Sequence, residues 1–328
     1  MFHASIVKLN DVCNLETALE RLEESRILDD PVDDEEWPDH EVLTKRWNPI
    51  GHPFEAGINE LQTGTRESVR FLIAEGYNER TRRKDKWFED NELRDEIVDF
   101  EDRINKTRIT TIFFEYDSSV YASPWTPPNN NMNTFCNDLL PQGIWGNVEK
   151  SPTSMKIGHD FYYWMLNAFT RESKRVSFTP EIFIRAWTGF SGTSRDSTHR
   201  LSGDGDRISA ILSSLAFIFM DDPFKALNLV IQYEHERIPV LLGTLGNLEV
   251  LENEYEGQYA NRYGGPQRKV LLTILMYTKV LPALFNAYNE ARNEGKWNAS
   301  IKEEFTNYIG DTIIKRVTDA IESIKVAN

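Results

Sequence analysis

Cysteine is almost missing from this chain: Cys13 and Cys136 are the only two in 328 residues. They lie far apart in sequence, so no disulfide framework is expected, a reducing compartment fits, and both are read as buried thiols. A secretory leader is missing too. Met1-Phe2-His3-Ala4-Ser5 has no positive segment followed by an apolar stretch, which points to a cytoplasmic protein. Long apolar runs are scarce. The densest, Val270 to Phe285, is broken by Thr273, Thr278, Lys279 and Pro282, and it falls short of the roughly 20 residues a bilayer span needs. No membrane insertion is expected. Positive charge is outnumbered, with 37 Lys and Arg against 52 Asp and Glu and a formal charge of -15, so the chain as a whole is a poor non-specific binder of nucleic acid.

Motifs of common catalysts are missing as well. The histidines His3, His40, His52, His159, His199 and His235 never stand three or four residues apart, so local spacing draws no metal site. Ser202-Gly203-Asp204-Gly205-Asp206-Arg207 leads into a helix but lacks the Lys-Ser/Thr ending of a phosphate loop, and it reads as a turn with a helix cap. Gly189-Phe190-Ser191-Gly192 is not a nucleophile elbow. No cofactor is implied.

What is present is enough apolar material, 40% of residues, and enough length for two cores. The patterning predicts an α+β protein with mixed or antiparallel sheets, packed helices and a helical C-terminal region. A strand over His3 to Leu9, a helix from Asn14 with Leu15, Leu19 and Leu22 on one side, and an acidic segment make residues 1–60, part of the first domain. Residues 61–172 form a first α/β domain: a strand at Val69 to Ala74, a helix carrying Leu93, Ile97, Phe100 and Ile104, a hairpin turning at Asp117-Ser118-Ser119, and helices around Phe135 to Leu140 and Asp160 to Phe169. Residues 173–328 form a second α+β domain, with strands near Val176, Ile182 to Trp187, Leu227 to Tyr233 and Leu248 to Leu251. It ends in two long helices, one kinked by Pro282 and one opened by a Ser300 to Glu303 capping box. The last carries the stripe Ile309, Ile313, Val317, Ile321, Ile324, expected to pack on its own core or on a partner subunit.

Charge is placed unevenly. Residues 11–60 hold fifteen Asp and Glu against four Lys and Arg, concentrated from Asp29 to Glu36, and this stretch reads as a solvated loop or linker. Basic residues interleaved with aromatics follow: Arg80, Arg82, Arg83, Lys84 and Lys86 run into Trp87, and Arg103, Lys106 and Arg108 precede the next strand. Arg171, Lys174, Arg175, Arg195, Arg200 and Arg207 make a second basic set. Guanidinium and ammonium groups bind phosphate by charge, so these are the candidate contacts to the backbone of double-stranded DNA. Two other readings stay open. Glu234-His235-Glu236 after a strand could start the acidic cluster of a metal-dependent nuclease, and the acidic segment Asp29 to Glu36 could dock a basic protein partner.

The stretch Val69 to Lys86, the run Thr111-Ile112-Phe113-Phe114-Glu115-Tyr116 with its hairpin, and the tract from Phe183 through Ser202 to Gln232 together resemble the layout of the phage lambda exclusion protein RexA family. They also resemble, more loosely, the DNA-binding component of the Kiwa phage-defence system. The resemblance implies a two-domain homodimer that contacts DNA without strong sequence preference in phage defence or phage exclusion. It supplies no catalytic residue.

Overall fold

The computed structural model describes residues 1–49, 54, 57–62, 68–89, 96–128, 130–171, 176–179, 182–193, 200–204, 212–261 and 263–327. The fold is α+β, as the patterning predicts. The chain divides into two compact units, His3–Pro152 and Thr153–Asn328, the second taking in Met1–Phe2.

The short strands β1 (Phe2–Ala4) and β2 (Val7–Leu9) replace the single predicted strand, and β2 lies in the first unit. Helix α1 (Leu15–Glu24) starts where Asn14 caps it, its side chain accepting from the Thr17 N–H at 2.8 Å, and buries Leu15, Ala18 and Leu22. The acidic segment is not a solvated linker. It forms an antiparallel pair, β3 (Ile27–Pro31) and β4 (Val42–Pro49), pinned where Lys45 meets Asp30 at 2.8 Å. Between the strands, Trp37 is buried edge-on against Trp87, with ring centroids 5.0 Å apart, and against Phe100. Long-range aromatic packing thus overrides the local polarity that reads as loop.

Strands β5 (Asn59–Gln62), β6 (Ser68–Thr81), β7 (Ile104–Tyr116) and β8 (Ser119–Pro124) continue the sheet in the order β3-β4-β6-β7-β8-β2-β9, with β9 at Val148–Lys150 and β5 on β6. The β7–β8 hairpin turns on Asp117 and Ser118 at φ 48° and 54°, the paired left-handed geometry of a two-residue hairpin. The helix expected over Leu93 to Ile104 shrinks to α2 (Phe100–Arg103), because Ile104 already pairs with Thr81 in the long β6–β7 ladder; Leu93 lies outside the described residues. Trp47, Phe113, Phe135 and Trp145 fill the core, Phe113 stacked on Trp145 at 5.5 Å. Phe135–Leu139 is a π-turn continuing α3 (Asn130–Thr134), and α4 (Gln142–Trp145) follows. Cys136 is buried, with its thiol pushed up to about 11 by burial, whereas Cys13 is exposed, contrary to expectation.

The unit boundary falls at Pro152, not at residue 172. Helix α5 (His159–Arg171) belongs to the second unit because its tyrosines are tied there: the Tyr162 hydroxyl donates to the Leu242 carbonyl and that of Tyr163 to Ile218, each at 2.9 Å. The unit's strands are β10 (Val176–Thr179), β11 (Ile182–Thr193), β12 (Arg200–Asp204), β13 (Phe224–Tyr233), β14 (Glu236–Gly243) and β15 (Leu248–Val250), with α6 (Leu212–Phe219) before β13. The sheet runs β1-β15-β14-β13-β11-β10, with β12 on β11.

Gly265–Asn293 is one continuous helix, α7 (Gly265–Leu275) and α8 (Leu281–Asn293) joined by a π-turn at Met276–Val280. The π-turn, not a sharp kink, lies just before Pro282, whose ring and missing N–H disturb the regular ladder there. By length and mean hydropathy (1.6) this helix could cross a membrane, yet 72% of its apolar window is buried inside the unit. Helix α9 (Ala299–Ala327) is capped by Asn298, whose carbonyl oxygen Oδ1 accepts from the Ile301 N–H at 3.1 Å, not by Ser300.

Gly76 on β6 faces this aromatic core so closely that a Cβ would stand 2.6 Å from Leu139 Cδ1 and 3.2 Å from Trp47. Gly76→Ala is therefore expected to destabilise the first unit by about 1–3 kcal/mol, an overpacking cost. Chemical denaturation should show a lower midpoint with far-ultraviolet circular dichroism unchanged.

Candidate nucleic-acid interface

Side chains alternate across a strand, so residues paired in register on adjacent strands share a face. Across β4, β6 and β7 this rule builds one row from Arg46, Tyr77 and Arg108. Both guanidinium groups lie over the Tyr77 ring, Arg46 at 4.7 Å and Arg108 at 5.3 Å from its centroid, within cation–π range. Glu75, buried beside the row, accepts from the Tyr77 hydroxyl and pairs with Arg108. That carboxylate raises the Tyr77 phenol above its usual range and holds Arg108 more firmly charged. In the next row Glu79 stands opposite Lys106, and its Oε2 accepts from the Thr44 N–H and hydroxyl at 3.0 and 2.9 Å. Together these side chains line a cleft of about 240 Å³ that includes Thr44, Arg46, Tyr77, Lys106 and Arg108.

Beyond Thr81 the same strand runs into Arg82 and Arg83, both exposed, and a single helical turn at Lys84–Lys86. Arg82 Nε donates to the Ile104 carbonyl at 3.0 Å. Among the described residues neither Arg82, Arg83 nor Arg46 has a carboxylate partner, and Arg46 was not singled out by the sequence because it stands with Lys45 in the acidic stretch, away from the basic runs.

The rest of the basic run is occupied. Arg80 pairs with Asp138, Lys84 with Asp34 and Glu36 at 2.9 and 2.8 Å, and Lys86 meets Asp85 at 3.8 Å. The hydrogen bond to Glu36 first, then that to Asp34, raises Lys84 above the ordinary lysine range. Lys106 pairs with Glu101 at 2.6 Å. Arg103 is no phosphate contact at all: it is 2% exposed, pairs with Glu41, donates to the Val98 carbonyl at 2.8 Å and lies 4.5 Å over Trp37. Burial places its charge out of reach of any duplex.

The second basic set falls in the other unit. Arg171 closes α5 and Arg200 opens β12, both with side chains outside the described residues, as are Lys174, Arg175, Arg195 and Arg207 altogether. The acidic segment is likewise engaged within its own chain, through Asp30 on Lys45 and through Asp34 and Glu36 on Lys84.

The nuclease reading finds no cluster. Among the described residues no three His, Cys, Asp or Glu side chains gather to hold a metal. Glu234 sits exposed in the β13–β14 turn at φ 48°, while Glu236 is buried and accepts from the Tyr255 hydroxyl. Burial raises the Glu236 carboxyl above the usual range, outweighing the hydrogen bond from Tyr255 that lowers it. The chain matches no protein-family model and no curated protein.

A carboxyl whose folded value is raised favours the protonated state in the fold. Its contribution to stability is greatest below the unfolded value and falls away as pH rises through the folded one. Glu236→Gln should consequently raise the melting temperature at pH 7 to 8 and flatten the decline between acid and neutral pH. Thermal melts of both proteins across that range check it, and an equal decline in the variant would locate the pH dependence elsewhere.

Proposed function

We propose that the protein binds the phosphate backbone of double-stranded DNA without sequence preference, through the β4–β6–β7 face and the turn that follows β6. The observation carrying this reading is that Arg46, in the row with Tyr77, and Arg82 and Arg83, in the turn that follows β6, are exposed and without carboxylate partners among the described residues of a chain whose net charge is -15. Lys106 and Arg108 flank them, though each shares its charge with a glutamate. Tyr77 to Arg83 covers about 20 Å of extended chain, long enough to follow several phosphates of one strand.

A flat row of guanidinium groups offers charge and forked donors but no element shaped to enter a groove, so it supports backbone contact rather than base reading. The resemblance of the sequence to the RexA family points the same way and would place the activity in phage exclusion. Few free cations imply weak binding that salt readily abolishes.

The test is anisotropy of a fluorescent duplex titrated at several salt concentrations. With three to five phosphates neutralised, log affinity should fall against log salt with a slope of roughly -2.7 to -4.5. Arg46→Gln with Arg83→Gln should remove binding, and the lost Arg46–Tyr77 contact, worth about 0.5–1 kcal/mol, should lower the melting temperature by no more than a few degrees. No binding at the lowest salt overturns the reading.

A further inference from the structure

Helix α9 begins as a packed helix and ends as something else. Phe305 and Ile309 are buried in the second unit, and Gly310 lets the Phe219 ring approach so closely that a Cβ would stand 2.8 Å from it. Beyond that point Ile314 is 66% exposed, Val317 40%, Ile321 47% and Ile324 62%. The expected stripe is therefore split: its first residue serves the unit's own core and its last three face outward, joined by Ile314.

The outward residues recur at steps of three, four and three, which places them on one helical face. Stepping of this kind makes the narrow a/d seam of a two-helix coil, with Ile314 and Ile321 at a, Val317 and Ile324 at d. The stretch carries three cations and three acids, of which Asp311 and Lys325 take the e positions bordering the seam, while Lys315, Arg316, Asp319 and Glu322 fall at b, c and f, farther round the helix. That balance does not suit a polyanion or a strongly charged partner, and it matches the charge of an identical helix. Direction follows from the same charges. Parallel helices would leave Asp311 and Lys325 at opposite ends of the seam, whereas an antiparallel pair seats Ile314 against Ile324 and Val317 against Ile321 and brings Asp311 of each helix beside Lys325 of the other. It also brings the incoming last turn level with Asp311, beside the half-exposed Phe219.

We infer that this stripe is an interface occupied by α9 of a second copy of the chain, running antiparallel. The inference is independent of nucleic-acid binding. Gly310 to Ile324 spans about 21 Å of helix, a short seam that belongs with weak, concentration-dependent interfaces.

Sedimentation velocity on the full chain from about 5 to 200 µM tests it, a range suited to weak association. A reversible monomer–dimer shift is expected, and Val317→Asp with Ile321→Asp should abolish it while the thermal melt stays unchanged. Lys325→Glu should weaken the dimer several-fold, and adding Asp311→Lys should restore it, which a parallel pair would not do. A monomer throughout the range, a dimer that survives the double aspartate variant, or a monomer whose α9 instead inserts into vesicles of anionic lipid would each overturn the inference.

Discussion

The first unit depends on the register of one antiparallel ladder. Strands β6 and β7 pair over eleven successive positions, from Phe71 with Phe114 to Thr81 with Ile104. Leu72, Ala74, Gly76 and Asn78 thereby turn to the side where Trp47 and the π-turn pack, and Glu75, Tyr77 and Glu79 turn to the other. A slip of one residue would exchange the two sets, placing charge against aromatic rings. Close packing at Gly76 forbids that exchange, and the same constraint aligns Arg46, Tyr77 and Arg108 in one row.

Electrostatics explains why so few cations remain available in a chain this acidic. Carboxylates reach the basic residues from strands and loops remote in sequence: Asp138 from the π-turn to Arg80, Glu41 from the acidic loop to Arg103, Asp34 and Glu36 to Lys84. Exposed pairs of this sort add little to stability, about 0–1 kcal/mol each. Their larger effect is on recognition, since a cation shared with a carboxylate attracts phosphate less. Arg103 differs in kind, because its guanidinium bridges Glu41, the Val98 carbonyl and the Trp37 face inside a small aromatic cluster, where removing one partner would strand the others.

Local signals carried some of this architecture and not the rest. Asn14 before Leu15, and Asp117-Ser118 between alternating apolar runs, announce a helix start and a hairpin in the residues themselves. The β3–β4 pair was hidden because Trp37 finds Trp87 only after folding, so a run of carboxylates reads as linker. Strand β14 was hidden by Pro239, which lacks an N–H yet stands opposite Val230 within the sheet. Asn298 displaces Ser300 as the cap of α9 by a two-residue shift that spacing alone does not resolve. At the candidate interface the charged residue types were legible in the chain, but which of them meet carboxylates is a property of strand pairing, and Arg46 became visible only beside Tyr77.

The outermost strand of the first sheet is β3, and its sequence Ile27-Leu28-Asp29-Asp30-Pro31 ends in two acids and a residue without an amide proton. An incoming strand would meet repulsion from the acids and a missing donor at Pro31. The opposite margin, β9, is only three residues long. With β5, the edge strand on β6, only four residues long as well, none of these edges among the described residues is an extended template for fibrous aggregation, so the folded first unit should resist cross-β polymerisation even at high concentration.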